Sequence, residues 1–143
     1  PYGCMVDHFQ EEVYLHPEMT PAQRREKWLE LEKVYRPDMD WADIPHYSTG
    51  GWWQRQLHIY MDPFYYIDYC LAQSVALMFW DAAQKDRRSA WDKYMKLISY
   101  SGTLTFNDLL KAVGFRLPME EGALSDLARS AMSFLDGIDT SKF

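Results

Sequence analysis

The sequence predicts an all-α fold, a packed helical bundle. Apolar residues recur at spacings of three and four along nearly the whole chain. Proline, glycine and hydroxyl residues punctuate that pattern at helix-length intervals. No segment alternates apolar and polar residues convincingly, as a half-buried strand would.

The first helix is expected over Tyr2–Leu15, stopped by Pro17. Thr20-Pro21-Ala22-Gln23 reads as a capping box with proline at the first helical position. The helix it starts carries Trp28, Leu31 and Tyr35 facing inward, charges on its other face, and a stop at Pro37. Pro45, Ser48, Thr49 and the Gly50-Gly51 pair make 38–51 a loop. A short helix is expected over Trp52–Ile59, and Pro63 then opens a long one through about Gln84. Ser89 is placed to cap a helix that buries Trp91, Met95 and Ile98 and ends at Gly102. Thr105 caps the next, with Phe106, Leu109, Leu110 and Val113 on one face and Gly114 at its end. The last runs from about Glu120 to Asp136, carrying Leu124, Leu127, Ala128, Ala131 and Leu135. Gly137 follows, in the left-handed conformation that closes many helices.

Composition narrows the functional classes. The 143 residues are enough for one domain, or for a piece of something larger, and 48% hydrophobic against 25% charged is a globular balance. A net charge of −6 argues against a nucleic-acid partner, which would need a basic face. Cys4 and Cys70 are too few for a disulfide framework or a cysteine zinc site, and they suit a reducing compartment. No basic-then-apolar leader is visible, and Tyr69–Trp80, the longest uncharged apolar-rich run, is too short to cross a bilayer. The expectation is a cytoplasmic protein with no membrane partner.

Two groups of residues could carry chemistry. His8, Glu12 and His16 stand at i, i+4 and i+8, a stripe that could hold a divalent metal or could be an ordinary solvated face. The chain has no H-E-x-x-H, no G-x-S-x-G and no phosphate-binding glycine loop. The second group lies in the aromatic-rich segment 50–73. With Pro63 at a helix start, Tyr65 and Tyr66 both share a face with Tyr69, and Gln73 continues it one turn on. His58 lies just upstream, across a turn. An imidazole and phenols converging on one spot can donate hydrogen bonds to a developing oxyanion. A packed aromatic helix with a satisfied histidine is the alternative, and spacing alone leaves both open.

The run W-Q-R-Q-L-H-I-Y-M-D-P-F-Y-Y-I-D-Y-C-L-A-Q, Trp53–Gln73, resembles the region near the C-terminus of oligoendopeptidase F-type zinc metallopeptidases, relatives of thimet oligopeptidase. Phe9–Tyr14, Met19–Arg24 and Gly102–Gly114 also resemble that family, so the likeness extends over roughly Cys4 to Asp136. It implies one helical segment, 1–143, of a larger bowl-like zincin-type catalytic domain with a deep cleft. It implies cleavage of short peptides, with zinc held by the two histidines of H-E-x-x-H and a later glutamate. The glutamate within that motif would activate water.

By the same resemblance His58 matches a histidine facing the zinc, and Tyr69 the tyrosine that stabilises the oxyanion. Tyr66 or Tyr65 matches a second, substrate-binding tyrosine. The metal ligands are expected upstream of Pro1, so zinc belongs to the intact parent enzyme and none is expected in this chain. The chain is expected to be inactive alone, with peptide substrate and the upstream part of the polypeptide as partners. Uncovered aromatic surface near Trp52, Trp53 and Tyr65–Tyr69 would favour self-association. The Gly50-Gly51 loop could adjust over a bound peptide or serve only as a connector. Arg55 could meet a substrate carboxylate or act in a structural ion pair. The rival reading is a stand-alone helical peptide- or ligand-binding module without hydrolytic activity.

Overall fold

A computed structural model describes residues 1–142. Among them are eight α-helices: α1 (Tyr2–Leu15), α2 (Pro21–Tyr35), α3 (Pro45–Ser48), α4 (His58–Met61), α5 (Ile67–Lys85), α6 (Arg87–Ser99), α7 (Phe106–Ala112) and α8 (Ala123–Asp136). Two 3₁₀ turns, Trp52–Arg55 and Thr140–Lys142, complete the elements, and no strand occurs among the described residues. The all-α expectation is met. The chain divides into two compact units, Pro1–Cys70 and the remainder from Leu71, with the division falling inside α5.

The first unit is built on α1 and α2. Met5, Val6 and Phe9 of α1 and Trp28 and Leu31 of α2 are buried together with Trp53. Phe9 meets Trp28 edge-on at 5.1 Å and Trp53 at 5.3 Å. Burying such a side chain fully contributes about 1.5–3 kcal/mol, so these rings dominate the core. The expected capping box at α2 forms: the Gln23 N–H donates to Thr20 Oγ1 at 3.3 Å, and the Thr20 N–H to Gln23 Oε1 at 2.8 Å. Gly50 and Gly51 are buried where the loop after α3 passes α2. Gly50 has φ +78°, and a Cβ there would lie 2.3 Å from the Arg25 carbonyl oxygen. A Cβ on Gly51 would meet His46 at 2.5 Å. Both glycines thus serve close backbone approach, which favours the connector reading.

The segment after that loop differs from expectation. The single helix foreseen over Trp52–Ile59 is a 3₁₀ turn followed by α4, with Gln56 and Leu57 between them. The long helix begins at Ile67 and not at Pro63. The Tyr65 N–H donates to the Asp62 carbonyl at 3.2 Å, closing a four-residue turn. Pro63 occupies its second position, and Phe64, at φ +58°, its third, the pattern of a type II turn. A locked proline φ suits that turn position as well as the first position of a helix, which is why the sequence signal misled.

In the second unit, Phe79 of α5 packs against Phe115 at 4.7 Å and against Tyr94 of α6 at 5.5 Å. Trp80 meets Phe134 of α8 at 5.1 Å. Asp86, and not Ser89, caps α6: its Oδ1 accepts from the Arg88 and Ser89 N–H groups, both at 3.0 Å. The buried member of α6 is Ala90, while Trp91, Met95 and Ile98 are exposed, contrary to expectation. Thr105 caps α7 as foreseen, and Leu110 and Val113 are buried. The start of α8 is delayed to Ala123 by the left-handed Gly122, φ +79°. Arg116 ties down the preceding turn through the Glu120 carboxylate, the Glu121 carbonyl and Asp126. Leu127 is buried, but Leu124 and Leu135 are exposed. Gly137 has φ −81°, so it does not adopt the expected left-handed cap; its N–H reaches the Phe134 carbonyl in right-handed geometry.

Candidate functional site

His58 opens α4, Tyr65 and Tyr66 follow in the turn, and Tyr69 stands in the first turn of α5. The chain reversal at Asp62–Tyr65 folds α4 back, which brings all four rings together. The imidazole lies parallel to Tyr65 at 6.1 Å and edge-to-face with Tyr66 at 5.0 Å and Tyr69 at 5.9 Å. Tyr65 and Tyr69 meet at 5.5 Å, and Tyr66 and Tyr69 at 5.1 Å. The predicted convergence therefore occurs, but through a turn plus one helical turn, and not along one helix face. Edge-to-face pairs of this kind favour a fixed mutual arrangement.

The cluster has an anchored side and an open side. Tyr66 packs edge-on against Tyr2 at 5.8 Å, whereas Tyr65 and Tyr69 are 48% and 50% exposed. Partial desolvation, then the neighbouring phenols and the Asp62 carboxylate, hold the Tyr69 hydroxyl above the ordinary phenol pKa. It therefore keeps its proton through the neutral range and is a hydrogen-bond donor there. Below the cluster α1 comes close: a Cβ on Gly3 would lie 2.3 Å from Cys70 Sγ and 3.4 Å from the Tyr66 ring. Burial, and then a hydrogen bond with Cys4, push the Cys70 thiol up to about 11.

Three further residues support His58. The Gln56 amide nitrogen lies 2.7 Å from His58 Nδ1. The Tyr2 hydroxyl donates to Gln56 Oε1 at 2.9 Å, and the Trp52 indole N–H donates to the Tyr2 oxygen at 3.2 Å. Sequence reasoning missed Tyr2 and Gln56, since nothing in the local pattern links residues 54 positions apart.

The remaining candidates fall elsewhere. Trp53 is a core residue at 8% exposure, and Trp52 is half-buried, stacked on Trp41 at 4.6 Å; the expected uncovering of these two rings is not found. Tyr65 and Tyr69 are the exposed members of that predicted surface. The Arg55 guanidinium lies over the Trp52 ring at 4.6 Å and donates to the Tyr47 hydroxyl at 3.3 Å, a structural position. The polar stripe on α1 separates into local pairs: His8 with Glu12 and the Tyr35 hydroxyl, His16 with Glu18. Among the described residues no three His, Cys, Asp or Glu side chains gather as a metal site. No helix among them is long and apolar enough to cross a membrane.

No family model and no curated protein matches the chain. Solved structures do. Over its whole length it is 45% identical, with a TM-score of 0.92, to 25% of a chain assigned as an oligoendopeptidase F. Over 97% of its length it is 37% identical, with a TM-score of 0.89, to 25% of PZ peptidase A with an inhibitor. Over its whole length it is 34% identical, with a TM-score of 0.74, to 22% of a chain assigned as an oligoendopeptidase F from Bacillus anthracis str. Ames. The chain thus spans about a quarter of the length of each.

Proposed function

We propose that this chain, which is similar in sequence and fold to about a quarter of oligoendopeptidase F-type peptidases, is the C-terminal part of a zinc-dependent oligoendopeptidase of short peptides. The observation that carries the reading is the gathering of His58, Tyr65, Tyr66 and Tyr69 around one open spot, with two phenols half in solvent. In this role the chain is one wall of the active-site cleft. Its own residues do not fit a zinc ion, since no three metal-ligating side chains come together among those described. The ligands then come from elsewhere in the intact polypeptide, and the separate chain hydrolyses no peptide. The compartment in this reading is the cytoplasm.

The wall's chemistry follows from its donors. As a scissile carbonyl becomes tetrahedral, charge collects on its oxygen, and a fixed donor aimed there is worth more in the transition state than in the ground state. Tyr69 is that donor, protonated at neutral pH and half exposed. His58 is the second donor, and Tyr65 and Tyr66 hold the substrate backbone. The test is Tyr69→Phe in the intact enzyme. The ring and its packing stay, only the hydroxyl goes, and kcat should fall on the order of a hundredfold to a thousandfold with KM little changed. Turnover close to normal would remove Tyr69 from this role, and packing would be its whole function.

A further inference from the structure

An indole N–H is a donor and nothing else. That fact fixes the proton positions along the chain of contacts from Trp52 to His58. Trp52 Nε1–H donates to the Tyr2 oxygen at 3.2 Å. The half-buried Tyr2 hydroxyl then has one proton of its own to place, and its neighbour at 2.9 Å is the Gln56 side-chain amide. If the amide turned its NH₂ toward Tyr2, the phenol oxygen would face two donors and its own proton would have no acceptor. A buried donor left unmade costs on the order of 1–3 kcal/mol, and the half-buried phenol would bear part of that. The amide oxygen therefore faces Tyr2, and the amide NH₂ faces His58 Nδ1 at 2.7 Å. A nitrogen that accepts this bond carries no proton, so in the neutral ring the proton sits on Nε2.

We infer that Gln56 is a positioning residue that fixes the neutral His58 imidazole with its proton on Nε2, so that Nε2 is the ring's free donor. The relay Trp52–Tyr2–Gln56 joins the first turn of α1 to the segment before α4. Among the described residues Nε2 has no hydrogen-bond partner. The parallel and edge-on contacts with Tyr65, Tyr66 and Tyr69 fix the plane of the ring, while the relay fixes which nitrogen bears hydrogen. The use of that proton on a substrate oxygen rests on the peptidase reading; the tautomer itself does not.

The experiment is nitrogen NMR on the intact polypeptide with ¹⁵N-labelled histidine, the His58 signals being identified as those lost in His58→Gln. In its neutral form the parent's His58 should show Nε2 bearing hydrogen and Nδ1 bare. Gln56→Glu replaces the amide donor with an acceptor and should move the proton to Nδ1. Gln56→Leu removes the directing bond and should give a mixture. A parent with its proton on Nδ1 overturns the inference whether or not the variants fold. So does a Gln56→Glu enzyme whose tautomer is unchanged. In peptide cleavage, Gln56→Glu should lose at least tenfold, roughly, in kcat with a smaller change in KM. A tautomer that shifts as described in an enzyme with undiminished turnover would leave the relay standing and remove His58 from the catalytic role.

Discussion

Gly50 and Gly102 share a left-handed φ and have opposite surroundings, which makes one substitution a control for the other. Their φ angles are +78° and +77°. A Cβ on Gly102 would meet nothing within 4 Å, whereas one on Gly50 would stand 2.3 Å from the Arg25 carbonyl oxygen and 2.8 Å from its carbon. Alanine in the left-handed region costs about 1–2 kcal/mol, partly offset by about 0.4–1 kcal/mol from a stiffer unfolded chain. Gly102→Ala should thus lose about 1 kcal/mol. Gly50→Ala carries the same loss, and its Cβ must also retreat by about 1 Å from backbone that belongs to α2. Overpacking of that order costs about 1–3 kcal/mol, which brings the total to about 2–4 kcal/mol. Urea denaturation followed by circular dichroism and tryptophan fluorescence measures both. Equal losses in the two variants, or a Gly50→Ala protein as stable as the parent, would show that the close approach of the loop to α2 is not a real constraint.

The remaining predictions concern titration and packing. Cys70, at about 11, should be alkylated at pH 9 at least roughly tenfold more slowly in the folded chain than in urea, because the thiolate is the reacting form; mass spectrometry of the modified peptide reads this, and equal rates would refute it. Hydrogen bonds from Lys85 and Ser130 hold the Asp81 carboxyl below the usual carboxylate value. A lowered folded-state value stabilises above the unfolded pKa, and that stability is lost as pH falls through the folded one. Stability should therefore drop as pH falls below about 5, and Asp81→Asn should lose less over the acid range than the parent. Phe9→Ala should cost about 3–5 kcal/mol in denaturation, since it empties the space between two tryptophans.

How legible the sequence was depended on whether a signal had one structural meaning. Thr20 to Gln23 had one, because hydroxyl, proline and glutamine at those positions together suit a helix start and little else. Pro63 had two, and the turn won because the Tyr65 N–H finds the Asp62 carbonyl. An imidazole and two phenols were expected to converge, and all three tyrosines meet the imidazole, since a short reversal and a helix face both keep nearby residues together. Ser89 lost its expected role because Asp86, three residues earlier, accepts from the Arg88 and Ser89 N–H groups, so the helix has already started when Ser89 is reached. Trp91, Met95 and Ile98 do lie on one side of α6, but that side is exposed; a period gives a face and does not say what covers it. The relay to His58 was out of reach for a different reason. It joins Tyr2, Trp52 and Gln56 through side-chain contacts across 50 or more residues, and no local rule reports those.

The left-handed Phe64 gives the ring cluster an uneven foundation. A bulky residue at φ +58° is not at rest, and its ring lies 5.2 Å from Tyr14, the packing that glycine would forgo. The position is locally frustrated: the backbone would choose glycine and the neighbouring ring an aromatic. A conformation of that kind persists only while its surroundings over-determine it. The phenols are then unequally secured. Tyr69 is held by the hydrogen-bonded ladder of its own helix, while Tyr65 is aimed by a turn that would drift toward a more relaxed backbone once its flanks loosen. Loss of order in this segment should accordingly begin with Tyr65 leaving the imidazole, well before the helix that bears Tyr69 unwinds.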